Sequence, residues 1–114
     1  MAQTYKVSGV NFLGAVDTYQ NIYTCPASTT SMINSLYLGN TGAGETSATI
    51  KLTDADGLGA GSSKDYHIVT NVLVPEQSTL QPLSAPLVLE ENDVLYAKDV
   101  SGFLDVVVNT LEIS

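Results

Sequence analysis

The chain has no arginine and no tryptophan, and only one cysteine, one histidine and four lysines among 114 residues. Nucleic-acid binding needs a basic stripe to neutralise phosphates. Lys6, Lys51, Lys64 and Lys98 stand against twelve acids, the formal net charge is −8, and no such stripe can be assembled. Attraction to an anionic membrane surface is excluded for the same reason. No segment approaches the roughly 20 consecutive apolar residues that cross a bilayer. The lone Cys25 excludes an internal disulfide framework and a cysteine-based zinc site. Met1-Ala2-Gln3-Thr4-Tyr5-Lys6 has no basic region followed by an apolar run. No export signal is therefore expected, and synthesis in the cytoplasm is.

Hydrophobic residues make up 44% of the sequence, enough for a folded core, and 114 residues suit one domain. The periodicity is two. Ala48, Ile50 and Leu52 alternate with Thr49, Lys51 and Thr53, the mark of a half-buried strand. Met32–Gly39 reads as a second strand, with Met32, Leu36 and Leu38 expected on one face. Tyr5–Ser8, Thr18–Thr24, Tyr66–Val72, Asp93–Lys98 and Phe103–Thr110 read as further strands, and Leu80–Leu83 with Leu87–Leu89 as a broken one. Turn residues separate them: Cys25–Ser28, Gly39–Gly44, Asp56–Ser63, Val74–Ser78, Glu91–Asp93 and Ser101-Gly102. No window carries a capped amphipathic helix. About eight short strands at this spacing predict an all-β fold, a single antiparallel β-sandwich, either jelly-roll-like or immunoglobulin-like.

The inventory for chemistry is thin. His67 lies inside a strand, and no nucleophile elbow accompanies it, so a Ser–His–Asp arrangement has little to build on. A strand histidine facing solvent or a neighbouring chain is the expectation. Cys25, before Pro26, is either a lone nucleophile or, as free cysteines usually are, a small buried hydrophobe. Asp54-Ala55-Asp56-Gly57 is a candidate start for a calcium loop. Gly59 falls at the sixth position and Asp65 at the twelfth, but Leu58 occupies the fifth, where a ligand is needed. A hairpin turn is the better reading. Glu90-Glu91-Asn92-Asp93 reads as a solvated turn in which Asp93 caps the start of a strand. Tyr5, Tyr19, Tyr23, Tyr37, Tyr66 and Tyr96 could stack on sugars, or pack in strands and anchor interfaces. An enzyme is not expected, and no catalytic, cofactor-binding or metal residue is assigned.

Three segments follow patterns of their own. Tyr23-Thr24-Cys25-Pro26-Ala27-Ser28-Thr29 is similar to a Y-x-x-P-A-x-T opening that leads into an apolar strand and an Asn/Gly turn, here Gly39-Asn40-Thr41-Gly42. Leu87–Leu95 resembles a later L-x-L-x-x-x-D-x-L segment, and Val106–Ile113 resembles a V-x-V-x-V-x-x-x-E-I ending. Over about the last four-fifths of its length the chain thus resembles small all-β virion structural proteins of tailed bacteriophages. The resemblance implies a non-enzymatic virion component, most simply a capsid decoration or cement protein. The alternative is a tail, baseplate or fibre-associated module, including one that binds a receptor or carbohydrate. The partners implied are the major capsid protein or other virion proteins, and a homo-oligomer, with a trimer suggested by capsid threefold positions. Residues 21–114 are expected to form the sandwich. Residues 1–20 are expected to serve as a docking arm, with the Gly57–Ser63 loop as a second docking element.

Overall fold

A computed structural model describes residues 3–11, 16–55, 64–83 and 85–114. Among these residues there are nine strands and no helix. They are β1 (Gln3–Asn11), β2 (Gln20–Thr24), β3 (Thr30–Asn40), β4 (Thr46–Asp54), β5 (Lys64–Val74), β6 (Thr79–Leu80), β7 (Leu87–Leu89), β8 (Val94–Asp99) and β9 (Leu104–Ile113). The broken strand of the sequence becomes β6 and β7, which both pair with β3.

Every pairing is antiparallel, and the strands form two sheets. Sheet A runs β1-β9-β3, with β6 and β7 on the far side of β3, and sheet B runs β2-β8-β4-β5. Strands distant in sequence lie side by side in both sheets. This interleaving is the order of a jelly roll and not of an immunoglobulin-like sandwich, which decides between the two forms expected.

The core lies between the sheets. Ile33, Leu36, Leu38, Leu89, Leu104, Val106 and Val108 come from sheet A, and Ile22, Ala48, Ile50, Val74, Leu95 and Ala97 from sheet B. The alternation on β4 is as expected: Ala48 and Ile50 are fully buried, and Leu52 packs against the core. On β3 one expectation fails. The register against β9 shifts between Ile33 and Ser35, so Asn34 forms a bulge. The bulge turns Met32 away from Leu36 and Leu38 and puts Ile33 inside with them.

A chain of polar groups crosses the interior. The Tyr23 hydroxyl on β2 donates to Glu112 Oε2 on β9 at 2.5 Å and lies 2.7 Å from Ser31 Oγ on β3. Ser31 Oγ in turn lies 3.1 Å from Cys25 Sγ, and Lys6 on β1 pairs with Glu112 Oε1 at 3.1 Å. Burial, and then the bond to the Glu112 carboxylate, push the Tyr23 phenol above the ordinary tyrosine range. The folded state therefore holds this proton more tightly than the unfolded chain does. The corresponding stability is present below the unfolded value of about 10 and lost above it, at up to about 1.4 kcal/mol per pH unit. We expect Tyr23→Phe to cost about 1–3 kcal/mol at neutral pH and to flatten the alkaline fall in stability. Denaturant titrations of both proteins between neutral and strongly alkaline pH check this; equal alkaline slopes would refute it.

Candidate functional site: the outer faces of the two sheets

The expected turns close on residues with a left-handed backbone: Ser28 (φ 56), Gln77 (φ 54), Asn92 (φ 67) and Gly102 (φ 76). These turns place the residues singled out in the sequence. Cys25 is fully buried, its Sγ donates to the Thr29 carbonyl at 3.2 Å, and burial raises its pKa. A thiol in that state is a poor nucleophile. His67 is exposed on β5, and its Nε2 lies 3.4 Å from the Tyr19 hydroxyl, a phenol and not a serine.

Residues 56–63 of the calcium-loop reading, and with them the Gly57–Ser63 docking element, lie outside the described residues. Asp65 is engaged elsewhere: it accepts from Thr53 Oγ1 at 2.7 Å and pairs with Lys51 at 3.1 Å, and these bonds lower its pKa. The fold instead brings Asp54 beside Glu90 and Asp93, with carboxylate oxygens within 4.8 Å of one another. Asp93 is buried, and backbone amides take both its oxygens, Ala55 N–H on Oδ1 and Glu90 N–H on Oδ2, each at 2.9 Å. Its work is to fasten the turn before β8 to the end of β4.

The six tyrosines are dispersed. Tyr23 is interior. Tyr19 and Tyr96 lie together at sheet B, where the Lys51 ammonium sits 4.1 Å from the Tyr19 ring centroid and 5.3 Å from that of Tyr96. Lys98 lies 4.9 Å from Tyr19 and pairs with Asp17 at 3.6 Å. With Asp65 and His67 this makes the exposed side of sheet B charged and internally paired.

The outer side of sheet A is different in kind. Parity and register place Tyr5, Val7, Gly9 and Asn11 of β1 beside Leu111, Asn109, Val107 and Asp105 of β9. Met32, Ser35, Tyr37 and Gly39 of β3 continue these rows, and Val88 of β7 stands beside Met32. Asp105 is the one charged side chain among these positions. Tyr5, Val7, Tyr37, Val88 and Val107 are all exposed, a dispersed apolar surface with Asn109 and Ser35 hydrogen-bonded in its centre at 2.7 Å. Residues 3–11 of the expected docking arm thus form the outer strand of this sheet, while 1, 2 and 12–15 lie outside the described residues. The sequence reading did not single out Val107 or the face it belongs to. The signal was present in Val106-Val107-Val108, since consecutive apolar residues in a strand must face both ways.

No protein-family model matches the chain, and no curated protein matches it. Solved structures overlap it, among them two of infectious bursal disease virus. A chain in the structure of infectious bursal disease virus Gt strain is 12% identical, with a TM-score of 0.46, over 98% of this chain and 30% of that one. A chain in the structure of the Gx strain is 12% identical, with a TM-score of 0.43, over 96% of this chain and 28% of that one. This chain therefore spans less than a third of either.

Proposed function

We propose that this protein is a non-enzymatic virion structural component, a capsid decoration or cement protein that adds to a particle by surface contact. The observation that carries the reading is the contrast between the faces. Sheet B displays charge, whereas sheet A displays valine, tyrosine, asparagine and serine with one carboxylate among the positions named. Depletion of charge with retention of tyrosine and other apolar residues is the composition of an interface centre. The segment resemblance to tailed-phage virion proteins supplies the kind of assembly: major capsid protein or other virion proteins as partners, a symmetric homo-oligomer as the docking unit, and the virion as location. The negative charge suits the outside of a particle better than a place against packaged DNA.

A tail, baseplate or fibre module with a carbohydrate site is the second reading. Tyr19 and Tyr96 on the exposed side of sheet B favour it, although the lysine ammonium groups that lie against these rings would compete with a sugar. Quantitative mass spectrometry of purified particles separates the two. A copy number comparable to the major capsid protein is expected. A small fraction of it would move the protein to the tail, and absence from the particle would remove both readings.

A further inference from the structure

We propose that β1 is a self-pairing edge, at which two copies of this chain join their A sheets antiparallel about a twofold axis at Val7. The other sheet edges are blunted in ways that β1 is not. β5 carries two register shifts against β4 and a left-handed residue, Asn71 (φ 50). β2 has five residues with a shift of its own, and β6 and β7 have two and three. β1 keeps nine consecutive register partners with β9, without proline or bulge. Its only charge, Lys6, is directed toward Glu112. Long, regular edges without guarding charge are templates for another strand.

The order of residues along β1 then selects the partner and the register. A twofold at Val7 sets Val7 against Val7 of the partner subunit and Tyr5 against Gly9 of the partner subunit. Lys6 meets Ser8 of the partner subunit, Thr4 meets Val10 of the partner subunit, and Gln3 meets Asn11 of the partner subunit. No like charges face each other. A shift of the axis to residue 6 would set Lys6 against Lys6 of the partner subunit, which is unfavourable directly across strands. A shift to residue 8 would lose the terminal pairs and set Tyr5 against an asparagine.

At Val7 each exposed tyrosine covers a glycine, a known remedy for the bare strand backbone. Tyr5 is 76% and Val7 75% exposed in the single chain. The hollow beside Gly9, about 290 Å³ and lined by Asn11, Asp105 and Val107, is where a second copy's tyrosine would rest. The pairing also makes the outer rows continuous. Tyr37, Val107 and Gly9 of one protomer run on into Tyr5, Leu111 and Met32 of the partner subunit. An antiparallel edge meeting its own copy is satisfied at two copies, so this contact makes a dimer; a trimer would need another surface. Strand pairing over nine residues buries on the order of 1,000 Å², the low end of specific interfaces, so the dimer should be concentration-dependent.

Sedimentation velocity over a micromolar to sub-millimolar range tests the oligomer, and two cysteine variants test the register. Residues directly opposed across antiparallel strands have Cα atoms about 4.5–5.5 Å apart, within disulfide range. Val7→Cys should therefore form a covalent dimer on mild oxidation. Val107→Cys should not, because three strand spacings across, roughly 14 Å, and four residues along, roughly 13 Å, place the two copies about 19 Å apart. Val7→Lys should weaken the dimer about tenfold or more while the monomer stays folded. A chain monomeric throughout, with Val7→Cys left reduced, would overturn the proposal. So would an oligomer that Val7→Lys leaves unchanged, or one that Val107→Cys links first. The test is independent of the virion reading: absence from particles leaves the dimer standing, and a strict monomer leaves the outer face of sheet A available for docking.

Discussion

Replacing Asp99 by alanine should lower the stability of the domain by about 3–5 kcal/mol, through buried donors left without an acceptor. Asp99 ends β8 and is 1% exposed. One carboxylate oxygen accepts from Thr46 Oγ1 and from the Ser101 N–H (3.1 Å), and the other from the Leu104 N–H (2.8 Å). These bonds join the start of β4, the turn at 100–103 and the start of β9, so one side chain fastens both sheets at one end of the sandwich. Its backbone carbonyl also receives the Asp17 N–H at 2.8 Å, a bond that the substitution leaves in place. A loss of 3–5 kcal/mol in a domain of this size corresponds to a Tm lower by roughly 15 °C or more. Asp99→Asn keeps one carbonyl acceptor and should fall between the two proteins. A change below about 1 kcal/mol for the alanine variant would mean that the carboxylate does not hold these donors.

Introducing a charge on the outer face of sheet A should abolish docking without harming the fold. Tyr37 and Val107 are cross-strand neighbours on that face, on β3 and β9, and both are exposed. Tyr37→Lys or Val107→Lys therefore should change stability by no more than about 0.5 kcal/mol. Burial of the new ammonium against a partner surface has no compensating charge designed for it, and about 3 kcal/mol corresponds to more than a hundredfold weaker particle association. Thr70→Lys, exposed on β5 of sheet B, is the matched control and should associate as the unaltered protein does. Binding of purified variants to particles depleted of this protein gives the comparison. Equal losses for Thr70→Lys and Val107→Lys would indicate a general charge effect and not a docking face.

The strands and turns were legible because each is a local signal. Alternation marks β4 within eight residues, and asparagine and glycine at 92 and 102 are residue types suited to the left-handed positions that close their turns; Ser28 and Gln77 take the same conformation without a residue type that announces it. What depends on partners distant in the chain was not legible. The bulge at Asn34 follows from the register of β3 on β9, and it reverses the face on which Met32 lies. The jelly-roll order itself is a matter of non-local pairing, which leaves no mark on any one segment. Asp99 and Asn40 look like polar strand ends in the sequence, yet both are buried. The fold closes over them, and Asn40 holds the Gly44 and Val74 carbonyls at 2.8 and 3.1 Å. The acids at 54, 90 and 93 read as two separate turns because only the tertiary fold brings them together. The apolar face of sheet A was half visible: three successive valines announce an outward apolar side chain, but its companions come from four strands.

Tyrosine nitration read by peptide mass spectrometry, on free protein and on intact particles, reports directly which face is covered. Tyr37 and Tyr66 make a matched pair, 41% and 47% exposed, the first on the outer face of sheet A and the second on β5 at the edge of sheet B, opposite Leu52. Both should be nitrated in the free protein. In the particle, Tyr37 should be protected while Tyr66 remains reactive. Protection of Tyr66 with Tyr37 still open would show that the β5 edge, and not the outer face of sheet A, meets the particle.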